Sequence, residues 1–168
     1  MDEKKTGENY TYNLRLNFAD WVKDVPEDKL LVLVSVALNH CVYNHKIKIK
    51  GYLITRTTLY LVMTPYEESL KHALDFFSEQ IHLRVDAYLK NKDEEDVLQK
   101  TSIENTVFIK HQLQDYDLIK IITGKDVKLP YHSPRIAYLK KITHNYKYCS
   151  VSDYKGVLGP VIVDTIQK

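Results

Sequence analysis

The hairpin-like stretch GYLITRTTLYLVM, residues 51–63, carries two hydroxyl side chains, Thr58 and Tyr60, at alternate positions of its second half. Alternate residues of a strand point to the same face of a sheet, so the two hydroxyls are expected side by side. Most of the surrounding residues are apolar, as in a buried strand. The pair is therefore the first candidate site in the chain.

The histidines and cysteines lack the spacings of a metal centre or a cysteine nucleophile. No two histidines stand as H-x-H or four residues apart, and the C-x-x-C, HExxH, EF-hand and G-x-G-x-x-G patterns do not occur. Cys149 could pair with His144 as nucleophile and base, but no neighbouring residue supports that role, so an ordinary cysteine is expected. The sequence predicts no local metal site and no cofactor.

The composition indicates one ordinary globular domain spanning residues 1–168, with a net charge of +2. The chain contains 13 tyrosines but only 4 phenylalanines and 1 tryptophan. Tyrosine stacks on nucleic-acid bases, but it also suits amphipathic packing, and both explanations stay open. With only two cysteines, a cytoplasmic location is expected. The start, MDEKKTGENY, is polar and predicted to be disordered over 1–9; no secretory signal or membrane span is predicted.

Hydrophobic periodicity predicts a β-α-β-β-α order for the first half of the chain. The strands and helices expected are a strand at 10–18, a buried helix after Pro26, strands at 46–54 and 58–63, and an amphipathic helix at 67–90 that T-P-Y-E would begin as a capping box. NKDEED at 91–96 is expected to be a solvated break.

Two later apolar pieces, 106–110 and 118–122, could each be a strand. One further strand gives the β-α-β-β-α-β order of a ferredoxin-like α+β fold, in which both helices cover one face of an antiparallel sheet. The other face of the sheet would then be open to solvent.

Strand alternation assigns each strand residue to one of these two faces. The helix side is expected to take Leu14, Leu16, Ile47, Ile49, Leu53, Leu59, Leu61 and Met63. The open side is expected to take Asn13, Arg15, Lys46, Lys48, Lys50, Tyr52, Thr58 and Tyr60. Such a face is basic and carries tyrosines, so DNA could lie there with phosphates on the cations and bases on the rings. A solvated sheet face with no ligand explains the same residues.

The hairpin resembles that of the REP-associated tyrosine transposases, relatives of the single-tyrosine transposases of insertion sequences. Its Tyr52-Leu53-Ile54 and Leu61-Val62-Met63 match the family's two strands. A second stretch, SPRIAYLKKITHNYKYCSVSDYKG at 133–156, resembles the family's N-P-V-R-A-G-L-V and Y-x-Y-S-S-x-x-D-Y-x-G motifs. Residues 133–168 would form a family-like C-terminal extension.

The resemblance implies a chemistry whose key residues are replaced in this chain; the alternative is an accidental resemblance, in which Thr58 and Tyr60 were never a site. In the family, two histidines on the second hairpin strand hold Mg²⁺ or Mn²⁺, and a tyrosine near the Asn-Pro attacks the scissile phosphate. The histidine positions match Thr58 and Tyr60, whose neutral hydroxyls are poor replacements for imidazole. Counting back from Ser133-Pro134 places Leu129 at the nucleophile position, and only a shifted register would bring Tyr131 or Tyr138 there.

Three hypotheses follow for the function. The first is a transposase-like protein that binds hairpin or single-stranded DNA without cleaving it, through Arg15, Lys46, Lys48, Lys50, Tyr52 and Tyr60. The second is an active tyrosine nuclease with a rearranged site, using Tyr60, Tyr116, Tyr131 or Tyr138. The third is a protein-interaction module that reuses the fold and pairs through a sheet edge or a helix face. A homodimer is compatible with each hypothesis.

Overall fold

The structure, a computed structural model, describes residues 10–66, 69–90 and 106–165. The strands are β1 (Tyr12–Phe18), β2 (Ile47–Ile54), β3 (Thr58–Pro65) and β4 (Phe108–Gln112). The helices are α1 (Glu27–Tyr43), α2 (Leu70–Lys90), α3 (Tyr116–Ile122), α4 (Pro134–His144) and α5 (Val151–Tyr154), with a 3₁₀ turn at Val22–Asp24. The predicted disorder at 1–9, the capping glutamate of T-P-Y-E and the charged break at 91–96 lie outside the described residues. The role predicted for Thr64 and Pro65 at the start of α2 is wrong, because both belong to the end of β3. Ser69 caps α2 instead, since its hydroxyl accepts a hydrogen bond from the His72 amide at 3.3 Å.

The strands form one four-stranded antiparallel sheet in the order β2-β3-β1-β4. β3 pairs with both β1 and β2, so it lies between the two strands that α1 connects. β1 in turn lies between β3 and β4, the strands on either side of α2. The predicted α+β class is therefore confirmed, with helices packed on an antiparallel sheet.

The main hydrophobic core lies between the sheet and helices α1 and α2. The buried residues of the predicted α2 stripe are Leu74, Phe77, Ile81 and Val85. Phe77 is 1% exposed, and its ring lies 5.7 Å from that of Phe108 at the start of β4. This packing holds α2 against the sheet and confirms the amphipathic helix that the periodicity predicts.

A β-bulge in β2 makes the predicted face assignment wrong for two residues. Ile49 pairs with Met63 but Gly51 pairs with Val62, so Lys50 is an extra residue that reverses the alternation after it. Tyr52 therefore joins the core beneath α1 and α2, where it is fully buried, and Leu53 faces the opposite side. A single inserted residue exchanges the faces of every residue that follows it in the strand.

The sheet face opposite α1 and α2 is not open, contrary to the prediction. A second buried cluster joins Leu53 and Val62 of the sheet to Leu118 of α3 and to Ile136 and Leu139 of α4. Burying a leucine or isoleucine side chain contributes roughly 1.5–3 kcal/mol, so this layer is part of the fold. The sheet is thus covered on both faces, at least over β2 and β3.

The strand expected at 118–122 is also wrong, because these residues form the end of α3. Asp115 caps this helix by accepting a hydrogen bond from the Leu118 amide at 3.2 Å. Leu118, Ile121 and Ile122 are buried, and their spacing of three and four residues matches one helix face. A short apolar run cannot be assigned to a strand or a helix by periodicity alone. The strand expected at 106–110 is confirmed as β4.

Candidate functional site

The hydroxyl pair lies on the β3 face that α3 and α4 cover. Thr58 is only 7% exposed, and its hydroxyl donates to Asn17 Oδ1 at 3.1 Å. Tyr60 is half-buried and packs against the second buried cluster. The two side chains thus share a face, as expected, but Thr58 is engaged in a hydrogen bond within the sheet.

Tyr60 belongs to a row of polar side chains that crosses three strands. Arg15 of β1 pairs directly with Tyr60 of β3 on one side and with His111 of β4 on the other. Directly paired residues of neighbouring strands project to the same face. Arg15 is half-buried, and its Nε is enclosed without a hydrogen-bond partner among the described residues. The row places a cation between an aromatic ring and an imidazole. His111 was not predicted from the sequence as part of it, because only the strand register brings it beside Arg15.

The three lysines predicted to bind DNA each contact a different neighbour. The Lys46 ammonium lies 5.3 Å from the ring centroid of Phe76 in α2, and the Lys48 ammonium lies 5.1 Å from that of Tyr66. Lys50 is the bulged residue, and it forms an ion pair with Asp164 at 2.8 Å. Lys50 is therefore neutralised within the fold by Asp164.

Tyr52 does not offer a ring for base stacking, because it is completely buried. Burial, and secondarily the nearby Asp153 carboxylate, raises the pKa of the Tyr52 phenol well above its ordinary range. Burial also raises the pKa of Asp153. Tyr52 Oη and Asp153 Oδ2 both lack a hydrogen-bond partner in the described part of the chain. These two oxygen atoms are enclosed within the fold and do not belong to a surface that contacts DNA.

The tyrosines considered as nucleophiles lie near the start of α4 and on its outer side. Ser133 caps α4 by accepting a hydrogen bond from the Ile136 amide at 3.3 Å, and Pro134 occupies the first turn. Tyr131 is 67% exposed and Tyr138 is 61% exposed, while Leu129, at the position expected for the nucleophile, is 42% exposed. Neither tyrosine belongs to the buried cluster that contains Tyr60. Tyr116, at the start of α3, is also exposed.

The two stretches that carry the transposase resemblance are bonded to each other. The Ile54 amide donates to the Tyr148 carbonyl at 2.9 Å, and the Ser150 amide donates to the Tyr52 carbonyl at 3.0 Å. The Tyr146 hydroxyl donates to the Ile54 carbonyl at 2.8 Å. The segment at 146–150 therefore lies along β2 like an additional short strand, a contact between residues about one hundred positions apart that periodicity could not reveal.

Ser150 is the centre of this contact. Its hydroxyl accepts a hydrogen bond from the Tyr52 amide at 2.8 Å and donates to the Ile122 carbonyl at the end of α3. Gly51 makes the close approach of α3 feasible, since a Cβ there would lie 2.4 Å from the same carbonyl oxygen. The motif thus joins β2, α3 and the C-terminal segment.

No group of three or more potential metal-ligating side chains occurs among residues 10–66, 69–90 and 106–165. The helices described in these ranges are also too short or too polar to cross a membrane. Comparison with known proteins adds no family: no family model matches the chain, and neither a curated protein nor a solved structure is detectably similar to it.

Proposed function

We propose that this chain is a transposase-like, cytoplasmic DNA-binding protein that binds hairpin or single-stranded DNA and does not cleave it. The proposal includes a ferredoxin-like arrangement of the sheet. The order β2-β3-β1-β4, with one strand inserted within each crossover, supports that arrangement.

The contact between the two family-like stretches is the observation that carries the proposal. An accidental resemblance of two separate stretches gives no reason for them to be neighbours. Here residues 146–154 are hydrogen-bonded to β2, the first strand of the matched hairpin. The helix that Ser133 and Pro134 begin also packs on the sheet face that carries Thr58 and Tyr60, as a helix bearing a nucleophile would have to.

The proposal that the chain does not cleave DNA rests on two features. One is the type of side chain at positions 58 and 60, and the other is the placement of the candidate nucleophilic tyrosines. Thr58 and Tyr60 have no imidazole to hold a divalent cation, and the Thr58 hydroxyl is committed to Asn17. Tyr131, before α4, and Tyr138, on α4, are exposed, and neither belongs to the cluster against which Tyr60 packs. A phosphotyrosine mechanism needs the nucleophile and the metal within reach of one phosphate, which this arrangement does not favour.

The proposed DNA surface is smaller than the sequence suggests. It keeps Arg15, Tyr60 and the cations Lys46 and Lys48, to which we add His111 because it completes the row. Lys50 and Tyr52 are removed from it, since one is paired with Asp164 and the other is buried. Each cation–phosphate contact releases counterions, whereas a ring that stacks on a base does not.

The test is fluorescence anisotropy with hairpin and single-stranded oligonucleotides over a salt series. Arg15→Gln and Lys48→Gln should each lower the slope of log affinity against log salt by somewhat under one unit. Tyr60→Ala should cost roughly 1–3 kcal/mol with an almost unchanged slope. Lys29→Gln, on the exposed side of α1, is the matched charge control. Wild-type binding weaker than about 100 μM at low salt would remove the proposal.

A nicking assay with the same DNA and Mn²⁺ distinguishes DNA binding without cleavage from the active tyrosine nuclease. We expect no covalent protein–DNA product, and calorimetry with Mn²⁺ should show no saturable site in the range of about 1–100 μM. A product that Tyr131→Phe or Tyr138→Phe abolishes would establish the nuclease instead. If neither binding nor cleavage occurs, the interaction module is the remaining hypothesis, and light scattering then tests whether the chain dimerises.

A further inference from the structure

We propose that a basic cleft between α3, α4 and α5 is a binding site for the phosphate group of a nucleotide. The cleft has a volume of about 370 Å³. It is formed by the end of α3, the last turn of α4 and the residues around α5, and it lies apart from Thr58 and Tyr60. The inference goes beyond the proposed function, because it concerns a different surface and a ligand that need not be DNA.

The wall of the cleft is built by a close contact between a glycine and an aromatic ring. Gly124 has a φ of +83°, and a Cβ there would lie 2.4 Å from Cδ1 of Tyr154. The Tyr154 hydroxyl donates to the Lys50 carbonyl, which fixes the ring against the sheet. A ring fixed in this way gives the cleft one flat aromatic wall, on which a nucleobase can pack.

Positive charge in the cleft exceeds negative charge. Lys125, Lys140 and Lys155 line it together with one carboxylate, that of Asp126. Asp126 lies 3.8 Å from the Lys140 ammonium and 3.5 Å from that of Lys128, which is outside the cleft. Among the described residues, Lys125 and Lys155 have no carboxylate partner. Lysine is a frequent ligand of phosphate in proteins, so two lysines of this kind are suited to its oxygens.

The contact between Lys155 and His144 strengthens this assignment. The Lys155 ammonium lies 2.7 Å from Nδ1 and 3.2 Å from Nε2 of the His144 ring. An ammonium and an imidazole N–H can each donate a hydrogen bond to a phosphate oxygen. Both groups line the cleft, and each can therefore contribute to the same anion.

The ligand class follows from charge and size together. The cleft is larger than inorganic phosphate requires, and it falls within the range of about 300–1,000 Å³ that small-molecule sites occupy. A nucleotide whose phosphate contacts the lysines and whose base packs on the Tyr154 ring would use both the charge and the volume of the cleft. This nucleotide could be free or could be the end of a nucleic-acid strand, and the experiment separates these sources.

The experiment is an amide NMR titration of the full chain at low salt with four probes. These are inorganic phosphate, thymidine 5′-monophosphate, and oligothymidylate with and without a 5′-phosphate. The variant is Lys125→Gln/Lys155→Gln, which removes the unpaired charges of the cleft. Its matched control is Lys120→Gln/Lys141→Gln, which removes two exposed lysines of α3 and α4 that do not line the cleft.

We expect saturable shifts at residues 124–126 and 154–156, with an affinity that the cleft variant weakens by about tenfold or more and the control by less than about twofold. Tighter binding of the monophosphate than of the 5′-phosphorylated strand identifies a free nucleotide, and the reverse identifies a strand end. The absence of saturable shifts up to about 50 mM phosphate overturns the proposal. Equal weakening in both variants overturns it as well, because net charge alone would then explain the binding. Failure of the hairpin-DNA assay leaves these outcomes unchanged.

Discussion

Replacing Ser150 by alanine should reveal how strongly the C-terminal segment holds the sheet and α3 together. The Ser150 side chain is completely buried, and its hydroxyl bonds the Tyr52 amide and the Ile122 carbonyl. Alanine leaves both backbone groups buried without a partner. Each orphaned group costs about 1–3 kcal/mol, so the expected loss in the free energy of unfolding is about 2–6 kcal/mol. That is a large fraction of the stability of a small domain.

The assay is urea unfolding followed by the fluorescence of Trp21, the single tryptophan of the chain, and by circular dichroism. Ser152→Ala is the control, since Ser152 is half-buried and its hydroxyl makes one long contact, 3.4 Å, to the Cys149 carbonyl. Its expected cost is below about 1 kcal/mol. A Ser150→Ala loss within about 0.5 kcal/mol of the control would show that the segment does not depend on this hydroxyl. The hydrogen bonds of Ser150 would then not be what holds the two family-like stretches together.

Three further outcomes test the remaining layers of the fold. Phe77→Ala should cost about 3–5 kcal/mol in urea unfolding, because it empties the core beneath α2, and a loss below about 1 kcal/mol would place the ring outside that core. Gly51→Ala should cost about 1–3 kcal/mol or more, since the added methyl would lie 2.4 Å from the Ile122 carbonyl oxygen, and unchanged stability would contradict the contact. His82 is buried against Trp21, with ring centroids 5.1 Å apart, and burial lowers its pKa from 6.5. The unfolded chain therefore binds its proton first, so stability should fall as the pH drops below about 6.5, and His82→Gln should reduce that dependence in acid unfolding curves.

The sequence by itself determined the parts of the molecule in which one periodicity dominates. The alternation around Leu14 and Leu16 predicted β1, and the apolar stripe through Phe77 and Ile81 predicted α2. A half-buried strand repeats its apolar residues every second position and a half-buried helix every three or four positions, so each pattern identifies its element. The hairpin at β2 and β3 was predictable for the same reason. The pairing of Thr58 with Tyr60 on one face followed directly from this alternation.

Tertiary structure decided the features that depend on contacts between distant residues. The bulge at Lys50 moved Tyr52 into the core and Leu53 to the opposite face. The adjacent Gly51 is a local sign of a bulge, but it does not show which residue is the extra one. The residues of α3 could be read as a strand, because five apolar or mixed residues are too few to distinguish the two periods. Only packing against Leu53 and Val62 made them a helical layer.

The candidate site also combines residues that the sequence predicts with residues that only the tertiary structure brings together. Residue types alone predicted the hydroxyl pair and the absence of a local metal motif. The row of Tyr60, Arg15 and His111 depends on strand register, and the cleft around Lys125 and Lys155 depends on the meeting of three helices. Register and helix packing are set by burial across the whole chain, which a single stretch of sequence does not contain.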